Sequence, residues 1–166
     1  MATSDEAAAR EGARLYFEDF APGRVFELGE RVLSEEDIVS FAREWDPQPF
    51  HLDPAAAAEL GGLIASGWQT ACIWMRLYVD EVLNRAEMLT APGVDSVRWL
   101  RPVRPGMRLR GRTTILESRP SEQTPGRGTI RLQGELLDDD GEVVMSLVGW
   151  GRALVRDKED ADAGRR

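Results

Sequence analysis

The segment "EWDPQPFHLD", residues 44–53, holds the one histidine of the chain, His51, five positions after Asp46, with Pro47 and Pro49 between them. An imidazole can take and give a proton near neutral pH, and a neighbouring carboxylate can orient it or share a water with it. The two prolines restrict the intervening backbone, which lowers the entropy cost of holding both polar side chains in one geometry. Such an arrangement suits a water held between a carboxylate and an imidazole. A plainer arrangement fits the same residues: a hydrogen-bonded structural histidine and an aspartate that caps a helix end.

A second stretch bears on that choice. "ASGW", residues 65–68, opens an apolar helix on small residues. The free N–H groups and positive dipole end at such a start can stabilise a carbonyl oxygen that acquires negative charge. Ser66 and Gly67 thereby join Asp46 and His51 as candidate site residues.

These side chains need elements to position them. "SEEDIVSFAREW" reads as a helix with Ser34 as N-cap, Asp37 as the capping-box acid, and Ile38, Phe41, Ala42 and Trp45 on one face. Pro47 and Pro49 end it near Trp45 or Asp46, because each proline excludes its predecessor from the helical region. Asp46 and His51 then fall in a stiff loop directly after a helix. "DPAAAAELGG" predicts a short helix capped by Asp53, begun by Pro54 and stopped by Gly61. From Ser66 or Gly67 a long helix runs on, apolar on most faces up to Val79, a pattern that expects enclosure by other structure.

Before these helices, a turn at Pro22 and Gly23 leads into a strand through Val25, Phe26, Leu28 and Val32. After Pro92 and Gly93 the period changes to two, giving four strands with Leu109, Thr113, Ile115, Ile130, Leu132 and Leu136 on inward positions. "LDDDGEV" between the last two is a hairpin signal, and "RPSEQTPGRG" a looser connection. Strand, helices, then four strands define the α+β class, with a curved, mainly antiparallel sheet around a central helix. Residues 1–14 and 156–166 are charged or small without apolar periodicity, so they are expected as flexible tails around one domain over 15–155.

At 166 residues the chain fits one domain with a sizeable core. A net charge of −8 argues against a nucleic-acid partner. No basic-plus-apolar leader opens the sequence, and the most apolar stretch is shorter than the roughly 20 residues a membrane-spanning helix needs. The single cysteine, Cys72, excludes an internal disulfide and a thiolate zinc site, which points to a reducing cytoplasm. Within the apolar helix Cys72 reads as a small core residue, as do Trp68, Trp74 and Met75, although Trp68 could line a pocket.

"DPQPFHLD", "LIASGW" and "VRWLRPVRPGM", in this order, resemble the MaoC-like dehydratases, the group that includes the (R)-specific enoyl-CoA hydratases, over roughly residues 15–152. The resemblance implies a hotdog fold and a hydro-lyase that adds water to a 2-enoyl-CoA thioester or removes it from a 3-hydroxyacyl-CoA. It further implies that Asp46 acts as general base on the water and that His51 holds the water and handles its proton. The Gly67 N–H would polarise the thioester oxygen, and Ser66 would support the loop. No metal or cofactor is implied, coenzyme A being part of the substrate. A homodimer or dimer of dimers is.

Three departures stand out. Gln48 replaces the asparagine of a pattern close to Asp-x-Asn-Pro-x-His; Ser66 stands where many relatives have histidine; Met107 stands where an aspartate is common. Arg98, Arg101, Arg104 and Arg108 could meet the phosphates of coenzyme A, or could be solvated charges that protect an edge. A hotdog thioesterase and a non-catalytic acyl-thioester binding protein are the competing functions.

Overall fold

The structure, a computed structural model, describes residues 14–157. The expected tails, 1–14 and 156–166, lie almost wholly outside the described residues. Arg156 is described, and its guanidinium pairs with Asp19 at 2.6 Å and lies over the Tyr16 ring.

Five antiparallel strands form one sheet in the order β1-β3-β4-β5-β2, comprising β1 (Val25–Val32), β2 (Val94–Trp99), β3 (Arg108–Pro120), β4 (Arg127–Leu137) and β5 (Val143–Leu154). Alternation along β3 and β4 sends Leu109, Thr113 and Ile115, then Ile130, Leu132 and Leu136, to the buried face, as their period of two requires. The hairpin joining β4 to β5 turns on Asp138, whose Oδ1 accepts from the N–H groups of Asp140 and Glu142. The connection from β3 to β4 is tighter than its composition foretells: Ser121 N–H donates to Arg127 O at 2.8 Å and Thr124 N–H to Ser121 Oγ at 3.1 Å.

Among the described residues three α-helices complete the fold: α1 (Glu35–Trp45), the single turn α2 (Pro49–Leu52) and the long α3 (Gly67–Glu81). Helix α1 begins where expected. Ser34 Oγ accepts from Asp37 N–H at 3.0 Å while an Asp37 oxygen accepts from Ser34 N–H at 3.2 Å, so two first-turn donors are satisfied reciprocally. Ile38 and Ala42 carry its buried face. Trp45, assigned to that face from its spacing, is 68% exposed, because it ends the helix where the chain turns out through Asp46.

Helix α3 lies against the sheet with Ile73, Trp74 and Tyr78 in the core beside Leu109, Ile115, Ile130, Leu136 and Met145. Burying each such side chain contributes about 1.5–3 kcal/mol. Trp74 comes this close only because Gly134 of β4 has no side chain; a Cβ there would lie 2.2 Å from the indole.

The opposite side of α3 differs from expectation. Trp68, Cys72 and Met75, at successive turns, are exposed rather than enclosed, so Cys72 is not a core residue. The sheet wraps one side of the helix and leaves an apolar stripe on the other. Of the three residues read together as core, only Trp74 is buried, at 2% exposure.

The segment 53–62 also departs from the reading. It forms turns and a short 3-10 helix, Ala58–Leu60, rather than an α-helix. Asp53 caps as foreseen, accepting from Ala55 N–H at 2.8 Å, and Gly61 ends the element in the left-handed region at φ 78°. The carbonyls of Leu60, Gly61 and Gly62 are taken by the Arg104 guanidinium, which arrives from distant sequence and fixes the segment as a turn.

Candidate active site

Asp46 is the C-cap of α1, its N–H still bonded to Ala42 O at 3.0 Å. Three residues on, Pro49 does not merely block the first helix. It occupies the first position of α2, where its missing N–H costs nothing and its fixed φ suits a helix start. His51 therefore sits on a helical turn rather than in an irregular loop, and this turn directs its ring back toward Asp46.

The histidine is buried, at 5% exposure. Its Nδ1 lies 2.8 Å from Ile64 O. A carbonyl oxygen can only accept, so Nδ1 carries a proton, and Nε2 is the ring nitrogen turned toward Asp46. That Nε2 is 3.4 Å from Asp46 Oδ2. Phe50 packs edge-on against the imidazole with ring centroids 4.4 Å apart, which further limits its rotation.

Asp46 is held from two sides. Ser66 Oγ donates to Oδ2 at 2.7 Å, and Gln48 Nε2 donates to Oδ1 at 2.8 Å. The Ser66 hydroxyl is the largest influence holding the Asp46 carboxyl below the ordinary aspartate range, and the Gln48 amide is the next; burial opposes them, and proximity to His51 adds the least. Asp46 is thus a carboxylate at neutral pH. The substituted amide at Gln48 reaches the same carboxylate that it helps to position.

Ser66 and Gly67 meet the pair at the start of α3. Fully buried Ser66 is the N-cap, accepting from Trp68 N–H at 3.2 Å while donating to Asp46, so one hydroxyl ties the carboxylate to the helix terminus. Gly67 follows as the first helical residue. Its carbonyl accepts from the Trp99 indole N–H at 2.7 Å and from Thr70 Oγ1 at 2.6 Å. Those bonds fix the orientation of the helix start, and its N–H is among the first-turn donors that no helical carbonyl can reach. The Trp99 ring lies so close over Gly67 that a Cβ would approach it to 2.5 Å, so only glycine fits.

A cleft of about 270 Å³ opens here, bordered by His51, Gly67, Thr70 and Trp99. Asp46 adjoins it through His51. The structure therefore brings all four sequence-nominated residues together, 20 positions separating Asp46 from its hydroxyl partner Ser66. Two contributors went unread: the Ile64 carbonyl, which as backbone has no side-chain signal, and Trp99, which alternation marked only as a strand residue.

The arginines divide. Arg104 is occupied by the carbonyls of the 60–62 turn, Arg101 pairs with Glu142 at 3.0 Å, and Arg108 pairs with Glu30. Among the described residues no three His, Cys, Asp or Glu side chains cluster as metal ligands do, and no helix is long and apolar enough to cross a membrane.

Comparison with known proteins gives the family and the fold. The MaoC like domain matches residues 19–134, and the chain belongs to that family. The fold is the hotdog fold. The crystal structure of a MaoC-like dehydratase from Rhodospirillum rubrum superposes with a TM-score of 0.80 at 39% identity, covering 86% of this chain and 99% of that one. The uncharacterized protein YdeM of Bacillus subtilis is 30% identical over 117 residues, 69% of this chain and 83% of its own length. The R-hydratase PhaJ1 of Pseudomonas aeruginosa shares the fold at a TM-score of 0.70 and 22% identity, over 86% of this chain and 88% of that one.

Proposed function

We propose that the protein is a hydro-lyase of acyl-CoA thioesters, adding water across a 2-enoyl-CoA or removing it from a 3-hydroxyacyl-CoA with (R) stereochemistry. The observation that carries the reading is the pairing of an imidazole nitrogen with a carboxylate oxygen. His51 Nε2 and Asp46 Oδ2 face each other at 3.4 Å, and the Ile64 carbonyl holds the imidazole proton on the other nitrogen. In this scheme Nε2 enters unprotonated, so that it and the carboxylate are both acceptors and one donor can bridge them. A water does so with its two hydrogens, which leaves its lone pair free to attack.

In the hydration direction the water oxygen bonds to C3 and one of its protons passes to the carboxylate–imidazole pair. Electron density moves through C2 to the thioester oxygen, where the Gly67 N–H and the positive end of α3 stabilise the enolate. The proton then goes from the pair to C2, so that the elements of water have been added. Ser66 and Gln48 keep Asp46 ionised and aimed throughout. Removing one oxyanion donor typically costs about 100- to 1,000-fold in rate.

Family membership supports the reaction class, and the likeness to an R-hydratase supports the stereochemistry. Coenzyme A is favoured over an acidic carrier protein as the acyl carrier because the chain itself carries a net charge of −8. No cofactor takes part in this scheme. The apolar stripe Trp68, Cys72 and Met75 beside the edge strand β2 is the surface a second copy would cover, giving a homodimer or a dimer of dimers. The lone cysteine suits a cytoplasmic setting.

The test is loss of the conjugated enoyl-thioester absorbance when purified protein meets a panel of trans-2-enoyl-CoAs, with free thiol followed in the same cuvette. Absorbance loss without thiol release supports hydration. Thiol release from the start would mean attack on the carbonyl and a thioesterase instead, and binding of the panel without turnover would mean a non-catalytic acyl-thioester binding protein.

A further inference from the structure

The His51 Nδ1 proton is held by a backbone carbonyl, so whatever fixes that carbonyl fixes the proton. Ile64 O lies 2.8 Å from Nδ1, and Ile64 itself belongs to no helix or strand. Its flanks are held instead by two consecutive residues of a distant loop. On one side Arg104 Nη1 donates to Gly61 O and to Gly62 O, each at 3.0 Å, and Nη2 donates to Leu60 O. On the other side Ala65 N–H donates to Val103 O at 2.8 Å. The Ile64 carbonyl is suspended between these two grips.

A guanidinium suits the first grip. Carbonyls at the end of a helical turn have no partner within it, and three that converge on one point need several donors there. The arginine fork supplies five N–H donors in one plane and stays charged. Arg104 is in turn anchored: its N–H donates to Met107 Sδ at 3.1 Å and its carbonyl accepts from Met107 N–H at 3.2 Å. Leu33 N–H donates to Met107 O at 3.1 Å and Gly106 N–H to Leu33 O at 2.7 Å. Leu33 precedes Ser34, the cap of α1, and α1 ends at Asp46. One loop, 103–107, thus braces both the helix that carries Asp46 and the carbonyl behind His51.

We infer that Arg104 is a positioning residue for the site: through the 60–62 carbonyls it keeps Ile64 O in line with His51 Nδ1, which leaves Nε2 free to accept a proton from water. The inference deepens the acid–base reading above and rests on it. The Asp46 carboxylate, 3.4 Å from Nε2, draws the imidazole proton to that nitrogen, and the Ile64 carbonyl opposes it. With the carbonyl released, Nε2 takes the proton, donates to Asp46 and no longer accepts from a water.

The chain has one histidine, so its imidazole nitrogens can be observed without overlap. The experiment labels the full-length, untagged protein with 15N-histidine and records the ring nitrogens up to the alkaline limit of their titration. Wild type, Arg104→Ala and Arg104→Lys are compared, each checked for folding by circular dichroism. Kcat and KM for a 2-enoyl-CoA are measured on the same samples, with and without guanidinium ion at low, non-denaturing concentration.

The expected wild-type spectrum has a protonated Nδ1 and an unprotonated Nε2 at that limit. Arg104→Ala should move the proton toward Nε2 and lower kcat by about 10- to 100-fold with little change in KM, as a small misplacement of a reacting group does. Arg104→Lys, which keeps the charge without the fork, should fall between, and it carries the test if the alanine variant does not fold. Guanidinium ion should restore both signals in Arg104→Ala. A wild-type nitrogen spectrum in the folded variants, or a wild-type enzyme that already holds its proton on Nε2, would overturn the inference. A proton that moves in the variants while wild type turns over no enoyl-CoA would uphold the role of Arg104 and remove the hydratase reading.

Discussion

At the scale of single residues, the site depends on a proton inventory that hydrogen bonds decide. The Ile64 carbonyl places a proton on His51 Nδ1, and the Ser66 hydroxyl and Gln48 amide fix Asp46 as a carboxylate. Because the folded-state pKa of Asp46 is depressed, its ionised form is present above the ordinary aspartate range and is lost only as pH falls through the lower folded value. Ser66→Ala removes the larger cause of that depression, so the acid limb of the kcat/KM profile should move to higher pH. Gln48→Leu should move it the same way by less. A profile measured on both variants checks the order, and an unmoved limb in Ser66→Ala would mean that the hydroxyl does not set the charge of Asp46. Arg104 shows the converse at this scale: its type and position near "RPG" suited phosphate, yet three backbone carbonyls claim its guanidinium.

Among the elements, α3 does two jobs, presenting Gly67 at its N-terminus and burying Trp74 and Tyr78 against the sheet. Its seating depends on the Gly134 gap. Gly134→Ala should destabilise by about 1–3 kcal/mol, read as a lower urea midpoint, because the Trp74 indole is 2% exposed, donates to Arg112 O at 3.3 Å and cannot easily give way. An unchanged midpoint would mean that the helix seat is looser than its geometry implies.

The elements also mark how far sequence reaches. Helix α1 was legible to its capping box because Ser34 and Asp37 act within one turn, and β3 and β4 were legible from period two. The 53–62 turn and the role of Trp99 were not, since each is decided by a partner more than 30 residues away in the chain: Arg104 for the turn and Gly67 for the indole. Exposure of Trp68, Cys72 and Met75 was hidden for a related reason. An apolar helix reads as enclosed, and only the three-dimensional path of the sheet decides which side stays open.

For the whole molecule, the sheet has two edges, β1 and β2, and the apolar stripe of α3 lies open. An apolar surface of this kind rarely stays bare in solution. Light scattering of the purified chain should give the mass of a dimer or a dimer of dimers, and a charge on the stripe, as in Cys72→Asp, should shift it toward the 18.5 kDa monomer. A monomer at micromolar concentration would contradict a covered stripe.

The central claim is that Asp46 and His51 act as one unit on a water. Its most direct test is turnover of a 2-enoyl-CoA by wild type, Asp46→Asn, His51→Ala and the double variant, each first shown by circular dichroism to be folded. The account predicts that either single change lowers kcat/KM by at least about 100-fold and that the double change costs little more, since groups that serve one step together are not additive. Losses that multiply in the double variant, or a His51→Ala enzyme of near wild-type activity, would contradict it.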